Sequence, residues 1–145
     1  IALQALQNED FGSGQQYFYI INKLTNTIPQ RAVPVMRSNL ITFEDSMDGK
    51  GNCWDKARIP ISSLTTSNEH NFDVNSTRFM FQLYQYRSNG NHTLLGSLEC
   101  SILEFLEVHD VFEINAENQT SYKIKRVHAM LETIPSFLDY INAGL

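Results

Sequence analysis

Between Arg78 and Tyr86 the chain alternates strictly, with Phe79, Phe81 and Leu83 on one side and Met80, Gln82 and Tyr84 on the other. A period of two sends these sets to opposite faces of a β-strand, and a face this rich in large apolar groups calls for a core to cover it. Shorter runs of the same kind lie at Ile1 to Gln7, Tyr17 to Asn22, Ala32 to Arg37, Arg58 to Leu64 and Thr93 to Cys100, all drawing on aromatic and β-branched residues. Between them stand Asp10-Phe11-Gly12-Ser13-Gly14, Met47-Asp48-Gly49-Lys50-Gly51 and Ser88-Asn89-Gly90-Asn91, whose Gly and Asn tolerate the positive φ of tight turns. Many short strands with such punctuation make an all-β chain, an antiparallel sandwich of about eight strands.

Some segments carry finer expectations. From Tyr122 to Leu131 the alternation holds at Tyr122 and Ile124 and then shifts to Val127, Ala129 and Leu131, as an inserted residue near Lys125 would produce. Pro60 places the Arg58 to Leu64 run at a sheet edge, because proline donates nothing to a ladder. Ser101 to Glu107 spaces Ile102, Phe105 and Leu106 as a short helix, and Trp54 reads as a large residue closing one end of the core. After Pro135, Ser136 stands as a cap, and Phe137, Ile141 and Leu145 form one stripe of a helix that faces a partner outside the sandwich. The expected division is residues 1–133 as the sandwich and 134–145 as a helical connector.

Charge narrows the function. Sixteen acidic residues against eleven Lys and Arg give a net charge of -5, which opposes phosphate-rich surfaces and leaves nucleic acid out as a partner. No apolar run approaches the ~20 residues that span a bilayer, and no signal peptide is visible. The opening at Ile1, already in strand pattern, suggests a piece of a longer protein. Cys53 and Cys100 lack the spacing of a disulfide framework or a zinc site and read as two reduced thiols. Three Asn-x-Ser/Thr triplets, at Asn75, Asn91 and Asn118, are close to the roughly two that composition gives by chance, so the expected location is cytoplasmic, with membrane association as the alternative.

The sequence shows no catalytic constellation. Gly12-Ser13-Gly14 lacks the spacing of a nucleophile elbow, and a hydrolase using Ser13 has no companion motif. His70, His92, His109 and His128 are scattered, and there is no phosphate loop or dinucleotide fingerprint. The expectation is a protein that is not an enzyme. Lys123, Lys125 and Arg126 form the one compact basic cluster, which reads as a solvated strand face or as a contact for an anionic lipid or an acidic partner.

Two stretches resemble the copine family, whose members carry two C2 domains and a von Willebrand factor A-like domain. The first is Tyr84-Gln85-Tyr86-Arg87-Ser88-Asn89-Gly90-Asn91-His92-Thr93-Leu94-Leu95-Gly96, running into Ser97-Leu98-Glu99, similar to a strand, a calcium loop and the next strand of a C2 domain. The second is Ser136-Phe137-Leu138-Asp139-Tyr140-Ile141-Asn142-Ala143-Gly144, similar to the passage from the second C2 domain into the A-like domain. Weaker similarity covers Ile1 to Phe18 and the surroundings of Trp54, while Asn39 to Asn52 is longer than the family norm. The resemblance implies a second C2 domain with its connector, calcium-dependent association with phospholipid membranes, and recruitment of partner proteins.

The same resemblance marks where the chain departs. Calcium-binding C2 domains surround their ions with carboxylates from two loops at one end, since the ion takes several oxygens. Asp10 keeps the first of these positions, but Gln16, Gln85, Arg87 and Thr93 stand where the family has Asp, and Asn89 lies where an acid is common. The five main positions sum to zero charge where the pattern gives minus five. The expectation is therefore a C2 interaction module with degenerate calcium loops and no cofactor, binding a protein surface or an adjacent domain. A phospholipid membrane, reached through Lys123, Lys125, Arg126 and Arg87 with Phe11 as the one insertable apolar residue, is the alternative.

Overall fold

Two antiparallel sheets enclose the aromatic face that the alternation at Arg78 to Tyr86 demands. The computed structural model describes residues 1–6, 10–44, 52–65, 75–107, 110–115 and 120–131. Among these residues the strands are β1 (Ala2–Ala5), β2 (Gln16–Leu24), β3 (Ala32–Arg37), β4 (Ile41–Thr42), β5 (Arg78–Gln85), β6 (Thr93–Ser101), β7 (Val111–Asn115) and β8 (Ser121–His128), with a short helix, α1 (Ile102–Glu107), after β6. The larger sheet runs β3-β2-β5-β6, β4 continuing the β3 edge along the start of β2, and the smaller runs β1-β8-β7.

Parity decides which side chains meet. Tyr17, Tyr19 and Ile21 of β2 and Phe79, Phe81 and Leu83 of β5 point inward and are buried. Phe81 stacks on Tyr19 at 5.1 Å within its own sheet and meets Phe112 of β7 edge-on at 5.3 Å across the core. Leu3, Ile114 and Ile124 supply the aliphatic part of the facing sheet. Trp54 lies in this core with its ring edge-on to Tyr19 at 5.4 Å, and its indole N–H donates to the Tyr17 carbonyl at 3.1 Å. A buried indole finds its acceptor, as such groups must.

The structure corrects four of the sequence expectations. Arg58 to Leu64 is not a strand, because Pro60 instead opens a 3-10 turn at Ile61–Ser63. The extended segment lies just before it, where residues 52–57 run antiparallel along β1. There the Ala5 N–H donates to the Asn52 carbonyl at 2.9 Å, Trp54 to Leu3 at 3.0 Å and Ala57 to Ile1 at 2.8 Å. These bonds give the smaller sheet an irregular fourth edge. The second correction is β7, a strand not anticipated, in which Phe112 and Ile114 are buried between exposed Val111, Glu113 and Asn115.

Third, the bulge in β8 falls at Val127 rather than near Lys125, because Ala2 faces His128 while Leu3 faces Arg126. Val127 and Leu131, expected inward, are 53% and 42% exposed, while Ala129 packs on the core. Fourth, Phe11 is no loop-tip wedge. It is 2% exposed, and its ring contacts Tyr17, Phe43 and Tyr122 at centroid distances of 4.9 to 5.1 Å.

A second irregularity lies on the outer strand of the larger sheet. Ile21 faces Met36 while Asn22 faces Pro34, so Val35 is the extra residue of a bulge beside a proline. The connector expected over 134–145, with Phe137, Ile141 and Leu145, lies outside the described residues, as does the turn at Met47 to Gly51.

Candidate functional site at the loop end

β1 and β5 end, and β2, β6 and β8 begin, at the same end of the sandwich. Two described loops stand there, residues 10–15 and 86–92. The first is a tight reversal made possible by Gly14 at φ +78°, and the Gly14 N–H donates to the Phe43 carbonyl at 2.8 Å. Its Gly12 N–H donates to the Tyr17 hydroxyl at 2.9 Å. Burial pushes that phenol above its ordinary range, while the Gly12 bond pulls it back in part.

The second loop is held by its own side chains. The Gly90 N–H reaches the Arg87 carbonyl at 3.0 Å with Gly90 at φ +85°, and Asn89 Oδ1 accepts from the Asn91 N–H at 2.9 Å. His92 Nδ1 accepts from the Arg87 N–H at 3.0 Å. The His92 ring stacks on Tyr86 at 4.9 Å and meets Phe18 edge-on at 5.1 Å. Phe18 is 1% exposed although it points away from the core, because Tyr84, His92 and the Arg37 guanidinium, 4.0 Å over its ring, cover it. Sequence reasoning did not single out His92 for this role; the signal was its place beside Thr93 in a turn rich in Asn and Gly.

The five positions marked by the resemblance are dispersed among these bonds. Asp10 Oδ2 accepts from the Ser121 N–H at 2.8 Å and so ties the first loop to the start of β8. Gln16 reaches sideways to Thr42 Oγ1 at 3.4 Å. Gln85 Nε2, at the end of β5, donates to Gln15 Oε1 at 2.8 Å, so Gln15 is the residue of the first loop that reaches β5. Arg87 Nε donates to Thr93 Oγ1 at 3.0 Å. Among the described residues no three His, Cys, Asp or Glu side chains gather as a metal site. A calcium ion needs six to eight oxygens, several of them anionic. Among the described residues at this end the oxygens are neutral or already accept hydrogen bonds, and a guanidinium sits among them, so these residues do not fit the ion.

The basic cluster is split by the strand that carries it. Lys123 and Lys125 share the exposed outer face of β8, and Lys123 Nζ lies 3.9 Å from Glu113 Oε1. Arg126 has the opposite parity, is half-buried, and donates through Nη1 to the Phe105 carbonyl in α1. Two lysines, not three cations, therefore face solvent together.

No helix among the described residues is long and apolar enough to cross a membrane. No family model matches the chain, and no curated protein does. Among solved structures, one described as BON1-C2B superimposes with a TM-score of 0.56 over 86% of this chain and 82% of that one, at 13% sequence identity. At that identity the likeness speaks for the fold: the two sheets, the loop end and this superposition make the chain a β-sandwich of the C2 type.

Proposed function

We propose that the chain is a non-catalytic C2 module of a copine-like protein, cytoplasmic, which binds a protein surface or a neighbouring domain without calcium. The observation that carries this reading is the mutual satisfaction of the loop-end side chains, Arg87 with Thr93 and Gln85 with Gln15, where a calcium-dependent module would present carboxylates. The copine assignment rests on Tyr84 to Glu99 and on Ser136 to Gly144, the latter outside the described residues.

Titration calorimetry and thermal unfolding test the calcium-independent part. The unmodified chain gives no specific heat with calcium and an unchanged melting temperature, since a ligand bound only by the folded state must raise it. Replacing Gln16, Gln85, Arg87 and Thr93 together by Asp creates calcium binding. Micromolar binding by the unmodified chain overturns the reading, and a folded fourfold variant that stays inert overturns the alignment of these loops.

A second reading, association with anionic phospholipid, is favoured by the common exposure of Lys123 and Lys125. Binding of that kind is electrostatic and fades with salt, because exposed charges are screened within ~10 Å at 0.1 M ionic strength. Sedimentation with anionic vesicles decides between the readings: pelleting that salt removes, and that Lys123→Ser with Lys125→Ser abolishes, selects the lipid.

A further inference from the structure

The end of the sandwich opposite the loops holds a cleft of about 490 Å³. That volume is in the range of small-molecule pockets, roughly 300–1,000 Å³. Its floor is Phe79, Ile102 and Phe105, all nearly buried, and Ile59, Ile61 and Leu106 build its walls. These residues come from β5, α1 and the 3-10 turn region, so three separate parts of the chain hold the cavity in shape. Met130 and Leu131 stand at the mouth, 57% and 42% exposed. Large apolar groups left at the opening of an apolar cavity mark a surface that something covers.

The charged side chains of the lining, Lys56 and Arg58, have one sign. His128 adds a ring nitrogen donor or acceptor there, and no Asp or Glu lines the cleft among the described residues. An apolar hollow with a basic rim is complementary to a molecule with an unbranched apolar tail and a single anionic head. We infer that this cleft binds such an amphiphile, a medium-chain or long-chain carboxylate being the simplest, with its tail against Phe79 and Phe105 and its head at Lys56 and Arg58. The site is at the far end from the calcium-loop positions and does not depend on the reading proposed for them.

Calorimetry with octanoate, decanoate and dodecanoate, each kept below its micellar concentration, tests the inference on the full chain. One carboxylate binds per chain, and affinity rises roughly fourfold for each added methylene, the fold-change that burial of one such group gives. Decanoate binds more tightly than 1-decanol. Lys56→Gln with Arg58→Gln brings decanoate down to the level of the alcohol and leaves the alcohol unchanged. Leu106→Trp, which fills the cavity from its wall, abolishes both; should that variant not fold, the chain-length series still decides. The inference is overturned by a flat chain-length series, by equal affinity for decanoate and 1-decanol, or by the absence of saturable heat. Absent heat accompanied by slow amide exchange over residues 132–145 overturns it in favour of the chain's own terminal segment as the occupant.

Discussion

A Cβ placed on Gly96 would stand 2.5 Å from Cγ2 of Ile114, and 2.9 Å from the Asn115 carbonyl oxygen. Gly96 lies in β6 and Ile114 in β7, so this pair marks where the two sheets approach too closely for any side chain. Ile114 is fully buried and Asn115 presents backbone, which leaves little room to give way. Gly96→Ala is expected to cost about 1–3 kcal/mol, as overpacking of a filled core does. Urea unfolding of the two proteins measures it, and an unchanged midpoint would mean the strands separate freely at this corner.

The hydroxyl of Tyr19 is buried and has no hydrogen-bond partner among the described residues, and burial drives its phenol far above the ordinary value. An unsatisfied buried group of this kind costs ~1–3 kcal/mol. Tyr19→Phe is therefore expected to leave stability unchanged or raise it. Tyr17→Phe, which removes the acceptor of the Gly12 N–H, is expected to lower it by about 1 kcal/mol. Denaturant midpoints for the pair should move in opposite directions or differ by at least the second amount.

Cys100 is fully buried, and burial pushes its thiol up to about 12, with nearby Glu104 adding to the shift. Its folded pKa is thus above the ordinary thiol value of 9.0 that it has in the unfolded chain. The unfolded chain releases this proton first, so stability is complete below pH ~9 and falls as pH rises from there toward 12. Alkaline unfolding should show that loss, and Cys100→Ala should flatten it. At neutral pH an alkylating reagent should modify exposed Cys53 alone, and Cys100 only in denaturant.

Arg126 is a structural cation. Arg126→Met leaves the Phe105 carbonyl without this donor and is expected to cost about 1–3 kcal/mol, seen as a lower melting temperature. Lys123→Ser and Lys125→Ser should be nearly silent in the same assay, because exposed charges contribute little. Equal effects from all three would contradict the parity that separates them.

β2, which buries Phe18 and Asn22 on its other side as well, was legible through its aromatic and β-branched residues, whereas β5 was legible because it buries one regular face, and alternation is the direct imprint of such burial. β7 carries the same imprint, but in five residues with only Phe112 and Ile114 inward, too brief to stand out. Arg58 to Leu64 misleads for a physical reason: Ile59 and Ile61 alternate, yet they line a cleft and make no ladder, while the hydrogen bonds belong to Asn52 through Ala57, which show no periodic pattern. At the loop end, Gln15 and Gln16 differ by a single step across the start of a strand, and that step decides which side chain meets Gln85. The separation of Arg126 from Lys123 and Lys125 was already present as parity. The burial of Phe11 was not, since three distant aromatic residues produce it.

Pro34 and the bulge at Val35 affect more than the path of β3. A strand on the outside of a sheet normally offers a row of unused N–H and C=O groups, a template onto which another molecule can add its own strand. Here that row is broken where proline has no N–H to give and where the extra residue throws the following groups out of step. An approaching chain that bonds to one part of this border finds the next rung missing. The larger sheet thereby guards its outer border against growth into stacked, fibre-forming arrays, a safeguard written into the backbone and independent of any charge on the surface.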